Sequence, residues 1–168
     1  GFGGIGKEVI KMGISLGMKV KVLTRKPKTE TISLSFFDGQ KVDFQISSTN
    51  DWDQFLEGVE FLSINTPKTS EYILDTAQFE KMKDGIFIVN TARGGVLNEV
   101  SLLKFIESGK ISGAALDVFE NEPTPELPLL MHPNLSLSPH LGGNTLDAQK
   151  KIGIELANQI IAIKKKIS

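Results

Sequence analysis

The amino-acid sequence predicts an α/β fold in which helices cover both faces of a mainly parallel sheet. Helical and strand patterns alternate along the whole chain of 168 residues, which is typical of parallel strands joined by helical crossovers. A glycine-rich turn comes immediately before the first helical pattern. Polar and charged residues follow several predicted strands, at the sheet edge where folds of this class bind ligands.

The hydrophobic pattern and the helix caps predict the elements in order. Helices are expected at residues 7–16, after Asn50 or Asp51 through 56, at 76–82, from Asn98 through 106, and from Thr145 onward. Strands are expected at 19–24, 61–65, 86–90, 111–118 and 135–137. Segment 119–139 holds five of the seven prolines, so we predict that it is otherwise mostly loop.

A β-hairpin is predicted near residues 31–46. Residues 31–36 and 42–46 alternate between polar and apolar side chains, and Asp38-Gly39 lies between them. Asp-Gly favours a tight hairpin turn because both residues tolerate positive φ. We therefore expect an inserted hairpin within the parallel fold.

The composition excludes several classes of function. The formal net charge is −1, so the basic surplus typical of nucleic-acid binding is missing. No apolar run is long enough to span a bilayer, and no membrane partner is expected. The chain has no cysteine, which excludes a disulfide scaffold and fits a cytoplasmic location. We predict no metal site.

Residues 1–6, Gly-Phe-Gly-Gly-Ile-Gly, match the pattern G-x-G-x-x-G. Gly1 would permit a tight turn, Gly3 would let the backbone approach a pyrophosphate, and Gly6 would let the helix lie close to the sheet. The N–H groups of Gly4 and Ile5 would face the phosphates at the positive helix end. The motif predicts a Rossmann-type doubly wound sheet. Because a strand normally leads into such a turn, we expect the first strand to lie outside this chain.

The end of the second strand of such a sheet usually carries Asp or Glu, which binds the ribose 2′-hydroxyl. This sequence has Thr24 there, followed by Arg25 and Lys26. Without the carboxylate, a 2′-phosphate is not repelled, and an adjacent cation can pair with it. The pattern favours tolerance of NADP, whereas the alternative interpretation is a pair of solvated loop cations.

Arg93 follows the strand 86–90 and is followed by Gly94 and Gly95. Its planar guanidinium can hold both oxygens of a carboxylate, and the glycines leave space around it. Arg93 is therefore a candidate substrate clamp. A surface arginine in an ion pair is the alternative interpretation.

The chain contains two histidines. His132 lies in the proline-rich segment and is expected to be exposed or to have a packing role. His140 follows a predicted strand and precedes a pair of glycines, where a side chain can face a ligand. A carboxylate that stabilises imidazolium would make it a proton-transfer group. We predict Glu122, next to Pro123, as that partner, and we expect Glu120 to be solvated.

Four motifs together resemble the D-isomer-specific 2-hydroxyacid dehydrogenases, and most closely the branch of that family that oxidises D-3-phosphoglycerate. They are residues 1–6, Asn-Thr-Ala-Arg-Gly-Gly-Val-Leu-Asn-Glu at 90–99, Ala-Leu-Asp-Val-Phe-Glu-Asn-Glu-Pro at 115–123, and Ser-Pro-His-Leu-Gly-Gly-Asn-Thr at 138–145. The resemblance covers nearly the whole chain. It implies an oxidoreductase that transfers a hydride between a nicotinamide cofactor and a small 2-hydroxy or 2-oxo acid.

The resemblance also implies a role for each matching residue. Arg93 would orient the substrate carboxylate, His140 would exchange a proton with the substrate oxygen, and Glu122 would hold His140. The cofactor, NAD or NADP, would be bound by the glycine-rich turn described above and by further residues. These are Thr24, Arg25, Thr66, Pro67, Thr91, Ala92, Asp117, Gly142 and Gly143. The family further implies a homodimer.

The resemblance leaves the organisation and the substrate open. We expect an N-terminally truncated dinucleotide-binding domain at residues 1–144 and a helix at 145–168 that leads back to a substrate domain outside this chain. Residues 1–168 alone should have little activity. One alternative is an NADPH-dependent glyoxylate or hydroxypyruvate reductase. Another, from a different class, is a non-catalytic nucleotide-sensing module resembling corepressor relatives of the family.

Overall fold

The computed structural model describes residues 1–167; Ser168, the last residue of the predicted C-terminal helix, lies outside them. The helices are α1 (Gly4–Ser15), α2 (Trp52–Leu56), α3 (Thr76–Lys81), α4 (Glu99–Glu107), α5 (Leu127–Met131) and α6 (Leu146–Ile167). The strands are β1 (Val22–Leu23), β2 (Thr29–Ser35), β3 (Lys41–Thr49), β4 (Phe61–Ile64), β5 (Ile86–Asn90), β6 (Ile111–Leu116) and β7 (Leu135–Leu137).

The strands form two sheets with helices between successive parallel strands. The larger sheet has the order β4-β5-β6-β7, and all of its neighbouring strands are parallel. The smaller sheet has the order β1-β3-β2, in which β1 and β3 are parallel and β2 and β3 are antiparallel. The predicted α/β fold is confirmed.

A groove of about 870 Å³ separates the two sheets and is lined by α1, β1 and β4. Gly1 lies at its mouth, where Gly1 N donates a hydrogen bond to Leu23 O over 3.0 Å. A Cβ added to Gly1 would come within 2.2 Å of Asn65 O, so only glycine fits between the strand ends. A strand in this groove would unite both sheets into one doubly wound sheet.

The predicted hairpin is confirmed and is longer than expected. Strands β2 and β3 pair from Thr29↔Ser47 to Ser35↔Lys41, and Gly39 adopts φ +84° in the turn. The end of β3 also pairs in parallel with β1, through Val22↔Ser48 and Leu23↔Thr49. The strand expected at 19–24 is shortened to β1 because only these two register positions find a partner on β3.

Apolar side chains that face the larger sheet form the main core. Phe79, Ile88 and Leu102 are fully buried there, and a smaller cluster around Phe2 and Ile32 joins α1 to the hairpin. Helix α5 was not predicted, because prolines dominate its segment. Proline is nevertheless compatible with the first turn of a helix, and Leu129 of α5 anchors it in the main core.

Helix α6 contrasts with the other long elements because its apolar side chains lie in the open. Leu156 and Ile160 are more than half exposed. Within residues 1–167, no helix combines the length and the apolar character that crossing a membrane requires.

We predict that Gly94→Ala destabilises the fold. A Cβ at this position would lie 1.7 Å from Phe119 O, so the loops after β5 and β6 would have to separate. Such overpacking costs about 1–3 kcal/mol or more, and a urea titration of the full-length protein measures it. Gly153→Ala is the matched control. Nothing lies within 4 Å of its added Cβ in α6, and unchanged or increased stability is expected. Equal effects of the two substitutions would contradict the prediction.

Candidate functional site

The residues predicted to be functional gather at the carboxyl ends of the strands. Arg93 follows β5, Asp117 and Glu122 follow β6, and His140 follows β7. The glycine-rich turn at the start of α1 lies at the same edge, because Gly1 contacts the residues that follow β4. Folds of this class bind ligands at this edge.

The glycine-rich turn has the shape of a phosphate cradle. A Cβ added to Gly6 would come within 2.3 Å of Gly1 O, so the turn and the helix are closely packed. Gly3 and Gly4, by contrast, face open space. No side chain caps the N-terminus of α1, and its first turn contains no acidic residue. Its backbone N–H groups are therefore available to an anion at the positive end of a 12-residue helix.

Residues after β4 offer further polar atoms at the same place. Asn65 Oδ1 and Thr66 Oγ1 are buried and have no hydrogen-bond partner within residues 1–167. Thr66 lies against Gly1, and Pro67 next to it is exposed. Because a buried polar atom without a partner is costly, these atoms fit a bound polar ligand. The glycine cradle and these unpaired atoms together fit a dinucleotide.

Thr24 organises the corner at the end of β1. Its hydroxyl donates to Lys26 O over 2.9 Å and lies 2.7 Å from Ser48 Oγ. Arg25 and Lys26 are exposed, and neither forms an ion pair in the part of the chain that the structure describes. Glu30, the nearby carboxylate, instead pairs with Lys7 and Lys28. The corner therefore presents cations without a competing acid.

Asn90 shapes the turn that carries Arg93. Its buried side chain accepts from Ala92 N and donates to Arg93 O, each over 3.1 Å. Thr91 is exposed, and so is the Arg93 side chain, whose Nη1 donates to Ala92 O. Arg93 forms no ion pair with any residue from 1 to 167, so its guanidinium is available to an external carboxylate. Asn90 was not predicted as a functional residue because amide turns leave no distinctive spacing.

His140 and Glu122 form a hydrogen-bonded pair. His140 Nδ1 lies 2.8 Å from Glu122 Oε2, and both side chains remain partly exposed. Phe119 N donates to the other oxygen of Glu122 over 2.9 Å. The bonds from His140 and from Phe119 N together hold the pKa of Glu122 below its ordinary value. With Nδ1 occupied, Nε2 is the ring nitrogen that can face a substrate.

Asp117 holds the turn that presents His140. Its carboxylate accepts from Ser138 Oγ over 2.6 Å, from Leu141 N over 2.8 Å and from Gly142 N over 2.9 Å. Burial alone would raise the pKa of Asp117, but these hydrogen bonds outweigh it and lower the pKa. His140 itself adopts φ +53°, which is uncommon for a residue with a side chain. Asp117 thus stabilises an unfavourable backbone conformation.

Glu120, which was expected to be solvated, is half-buried, and both of its carboxylate oxygens accept hydrogen bonds from other residues. Glu120 Oε1 accepts from Glu99 N over 3.0 Å, and Tyr72 Oη donates to Oε2 over 2.9 Å. The acidic run Glu-Asn-Glu gives no sign of this contact in the sequence, because both partners lie far away along the chain. His132, which was expected to be exposed or to have a packing role, is partly exposed, and its Nδ1 accepts from Asn134 N over 3.2 Å.

Comparison with known proteins identifies the family to which this chain belongs. The family model for the D-isomer specific 2-hydroxyacid dehydrogenase, NAD binding domain, matches residues 1–142. The chain belongs to this family. Membership supports a nicotinamide dinucleotide as the cofactor, because the matching domain is the one that binds it.

Individual relatives of this 2-hydroxyacid dehydrogenase domain differ in their substrates. The chain is 39% identical to a hydroxypyruvate reductase of Thermotoga maritima, over 95% of the chain and 50% of that protein. It is 35% identical to a D-3-phosphoglycerate dehydrogenase of Archaeoglobus fulgidus, over 98% of the chain and 30% of that protein. The crystal structure of a glyoxylate reductase from Paecilomyes thermophila superposes with a TM-score of 0.78 at 34% identity, covering 96% of this chain and 47% of that one. The chain therefore spans half or less of the length of these relatives.

We predict that Asp117→Asn destabilises the protein at neutral pH. An asparagine amide cannot accept all three hydrogen bonds, so at least one buried donor loses its partner, which costs about 1–3 kcal/mol. Because the folded pKa of Asp117 is lowered, its stabilising effect is present above the ordinary carboxyl pKa and is lost as the pH falls. Urea unfolding at pH 7 and at about pH 3.5 should therefore show a smaller difference between variant and wild type at the lower pH.

Asp84→Asn is the control for this experiment. The Asp84 side chain is 83% exposed and pairs only with Lys110, so its loss should change the stability little. A difference between Asp117→Asn and wild type that grew as the pH fell would contradict the role assigned to Asp117.

Proposed function

We propose that the protein containing this chain is an NAD(P)-dependent dehydrogenase that interconverts a small D-2-hydroxy acid, 3-phosphoglycerate, and its 2-oxo acid. The observation that carries the proposal is the hydrogen bond between His140 and Glu122, formed at the same edge as a cradle suited to a dinucleotide. Family membership supports the reaction class. The fold alone would not support a reaction class, because related folds carry many different functions.

The residues of the site fall into three roles. Arg93 binds the substrate carboxylate through its planar fork and orients the carbon that reacts. The bound nicotinamide supplies or accepts the hydride. During reduction, His140 donates the proton on Nε2 to the carbonyl oxygen, and during oxidation it takes this proton back. Glu122 keeps Nδ1 hydrogen-bonded and stabilises the imidazolium form.

In this proposal, residues at the strand ends would hold the cofactor. The N–H groups of Gly4 and Ile5 would hold the pyrophosphate at the start of α1, where Gly3 lets the backbone approach it. Thr24 and Arg25 lie at the adenosine ribose. The nicotinamide end is held by the residues that follow the larger sheet's strands, which are Thr66, Pro67, Thr91, Ala92, Asp117, Gly142 and Gly143.

A second candidate is an NADPH-dependent reductase of glyoxylate or hydroxypyruvate. The observation that favours it is the corner at Thr24, where Arg25 and Lys26 have no ion pair in the described part of the chain and Glu30 is occupied by Lys7 and Lys28. The similarity to a hydroxypyruvate reductase agrees with it. A nucleotide sensor without catalysis, the third candidate, would not need the pair of His140 and Glu122.

The same proposal extends to the domain organisation, the location and the assembly of the protein. Residues 1–144 form the dinucleotide-binding domain, and the helix that begins after Thr145 leads to a substrate domain. The exposed apolar side chains of α6, including Ile152 and Ile163, would be covered by that domain. The assembled enzyme is a cytoplasmic homodimer.

We predict that His140→Ala lowers kcat of the full-length enzyme by about a hundredfold to ten-thousandfold. The imidazole supplies the proton but does not touch the glycine cradle, so NADH binding should remain, as fluorescence titration can measure. His132→Ala is the control, because His132 only closes a turn, and its kcat should equal that of wild type. Unchanged turnover in His140→Ala would remove the catalytic role.

We also predict that Arg25→Ala distinguishes the two cofactors. If Arg25 pairs with a 2′-phosphate, its loss should raise KM for NADPH by roughly tenfold and leave KM for NADH unchanged. Lys41→Ala, which removes an exposed cation at the far end of the hairpin, should change neither value. Measuring both reduced cofactors with hydroxypyruvate, with glyoxylate and with the 2-oxo acid that corresponds to 3-phosphoglycerate also separates the substrates. Equal effects of Arg25→Ala on both KM values would contradict this role.

A further inference from the structure

Glu99 is a buried carboxylate that the proposed chemistry does not use. It is the first residue of α4 and is only 6% exposed. It forms no ion pair with any side chain from residue 1 to 165. It does not cap its own helix, because Asn98 already accepts from Ser101 N over 3.0 Å. Burying a carboxylate without a cation is unfavourable, so its position requires another explanation.

The Glu99 side chain points across to the loop after β6. Glu120 N donates to Glu99 Oε1 over 2.7 Å, and Glu99 N donates to Glu120 Oε1 over 3.0 Å. Each carboxylate thus binds the backbone N–H of the other residue. We call this reciprocal pair of Glu99 and Glu120 the carboxylate clasp. Tyr72, in the segment after β4, donates a hydrogen bond to Glu120 Oε2. This bond connects that segment to the carboxylate clasp.

The clasp lies directly beside the residues that orient His140. Phe119 N, one peptide before Glu120 N, donates to Glu122 Oε1, while Glu122 Oε2 bonds to His140 Nδ1. On its other side, Phe119 O packs against Gly94. Rotation of the peptide between Phe119 and Glu120 would break the bond from Glu120 N to Glu99 and would free the chain next to Phe119 N, the donor that fixes Glu122. The N-terminus of α4 is therefore connected to the Glu122–His140 pair through two adjacent backbone N–H groups.

We propose that the carboxylate clasp holds the loop 117–122 against the N-terminus of α4, and that Glu99 is a positioning residue for the Glu122–His140 pair. The kinetic part of this proposal rests on the proposed dehydrogenase function. The structural part, the immobilised loop, does not.

The clasp is sensitive to pH because the groups around it are acidic. Glu99 faces Glu120, Glu122 and Glu126, together with the phenol of Tyr72. Burial, and then the repulsion of these carboxylates, raises the pKa of Glu99 to about 7. A group with a raised folded pKa stabilises the fold at low pH, and this contribution is lost as the pH rises through that value. The free energy of unfolding should therefore fall as the pH rises above neutral and Glu99 ionises.

The experiment compares Glu99→Ala, Glu99→Gln and Glu107→Ala in the full-length enzyme. Glu99→Ala removes the acceptor for Glu120 N and should lower kcat by roughly tenfold to a hundredfold while the Kd for NADH stays the same. Glu99→Gln keeps an acceptor without the charge. It should retain the wild-type kcat at pH 6 and, at pH 8, the stability that wild type loses. Glu107→Ala removes an exposed carboxylate from the same helix and should behave as wild type.

Several results would overturn the proposal. A wild-type kcat in Glu99→Ala is one, and a kcat in Glu99→Gln at pH 6 as low as in Glu99→Ala is another. If Glu99→Ala does not fold, Glu99→Gln decides alone, by its kcat at pH 6 and its flattened pH dependence of stability.

Failure of the proposed function can be recognised separately. If the wild-type protein reduces no 2-oxo acid, that function is wrong, and the clasp is tested by hydrogen exchange. The amides of Phe119 and Glu120 should be protected in wild type and in Glu99→Gln, and should exchange faster in Glu99→Ala. Equal protection in all three proteins would overturn the clasp itself.

Discussion

The site depends on one constraint, the capture of backbone N–H groups by side-chain carboxylates. Asp117 accepts from two consecutive amides of the His140 turn and thereby holds His140 in a left-handed conformation. Glu122 and Glu99 each accept from one amide of the loop after β6. A carboxylate can accept several hydrogen bonds at once, so a few side chains fix two loops that have no regular structure. The imidazole of His140 is held in place by the backbone conformation of this residue as much as by the hydrogen bond to Glu122.

The same constraint explains why the acids of the site differ in their protonation behaviour. Asp117 and Glu122 gain enough hydrogen bonds for their pKa values to fall, whereas Glu99, which is buried among other carboxylates, has a raised pKa. Near neutral pH, Asp117 and Glu122 are therefore ionised, whereas Glu99, with a pKa of about 7, is partly protonated. Residue type alone does not distinguish these states; burial and the number of donors do.

Local patterns in the sequence predicted most of the fold, because helix caps, strand alternation and the Asp-Gly turn act over a few residues. They also predicted that His140 would pair with Glu122 rather than with Glu120, although Glu120 is half-buried and hydrogen-bonded rather than freely solvated. What the sequence could not reveal depends on distant partners. Helix α5 forms in a proline-rich segment because Leu129 reaches the core, and Glu99 meets Glu120 because the pairing of β5 with β6 brings the segments that follow them together.

Strand β3 pairs with β2 along most of its length and with β1 at its end. Ser48, near that end, contacts Thr24, whereas Phe37 at the opposite end is fully exposed. The register of β3 is fixed at the end that pairs with β1. A fluorophore or an epitope attached beside Phe37 would therefore label the molecule without shifting the corner at Thr24. The tip of the hairpin is thus a suitable attachment site for a label.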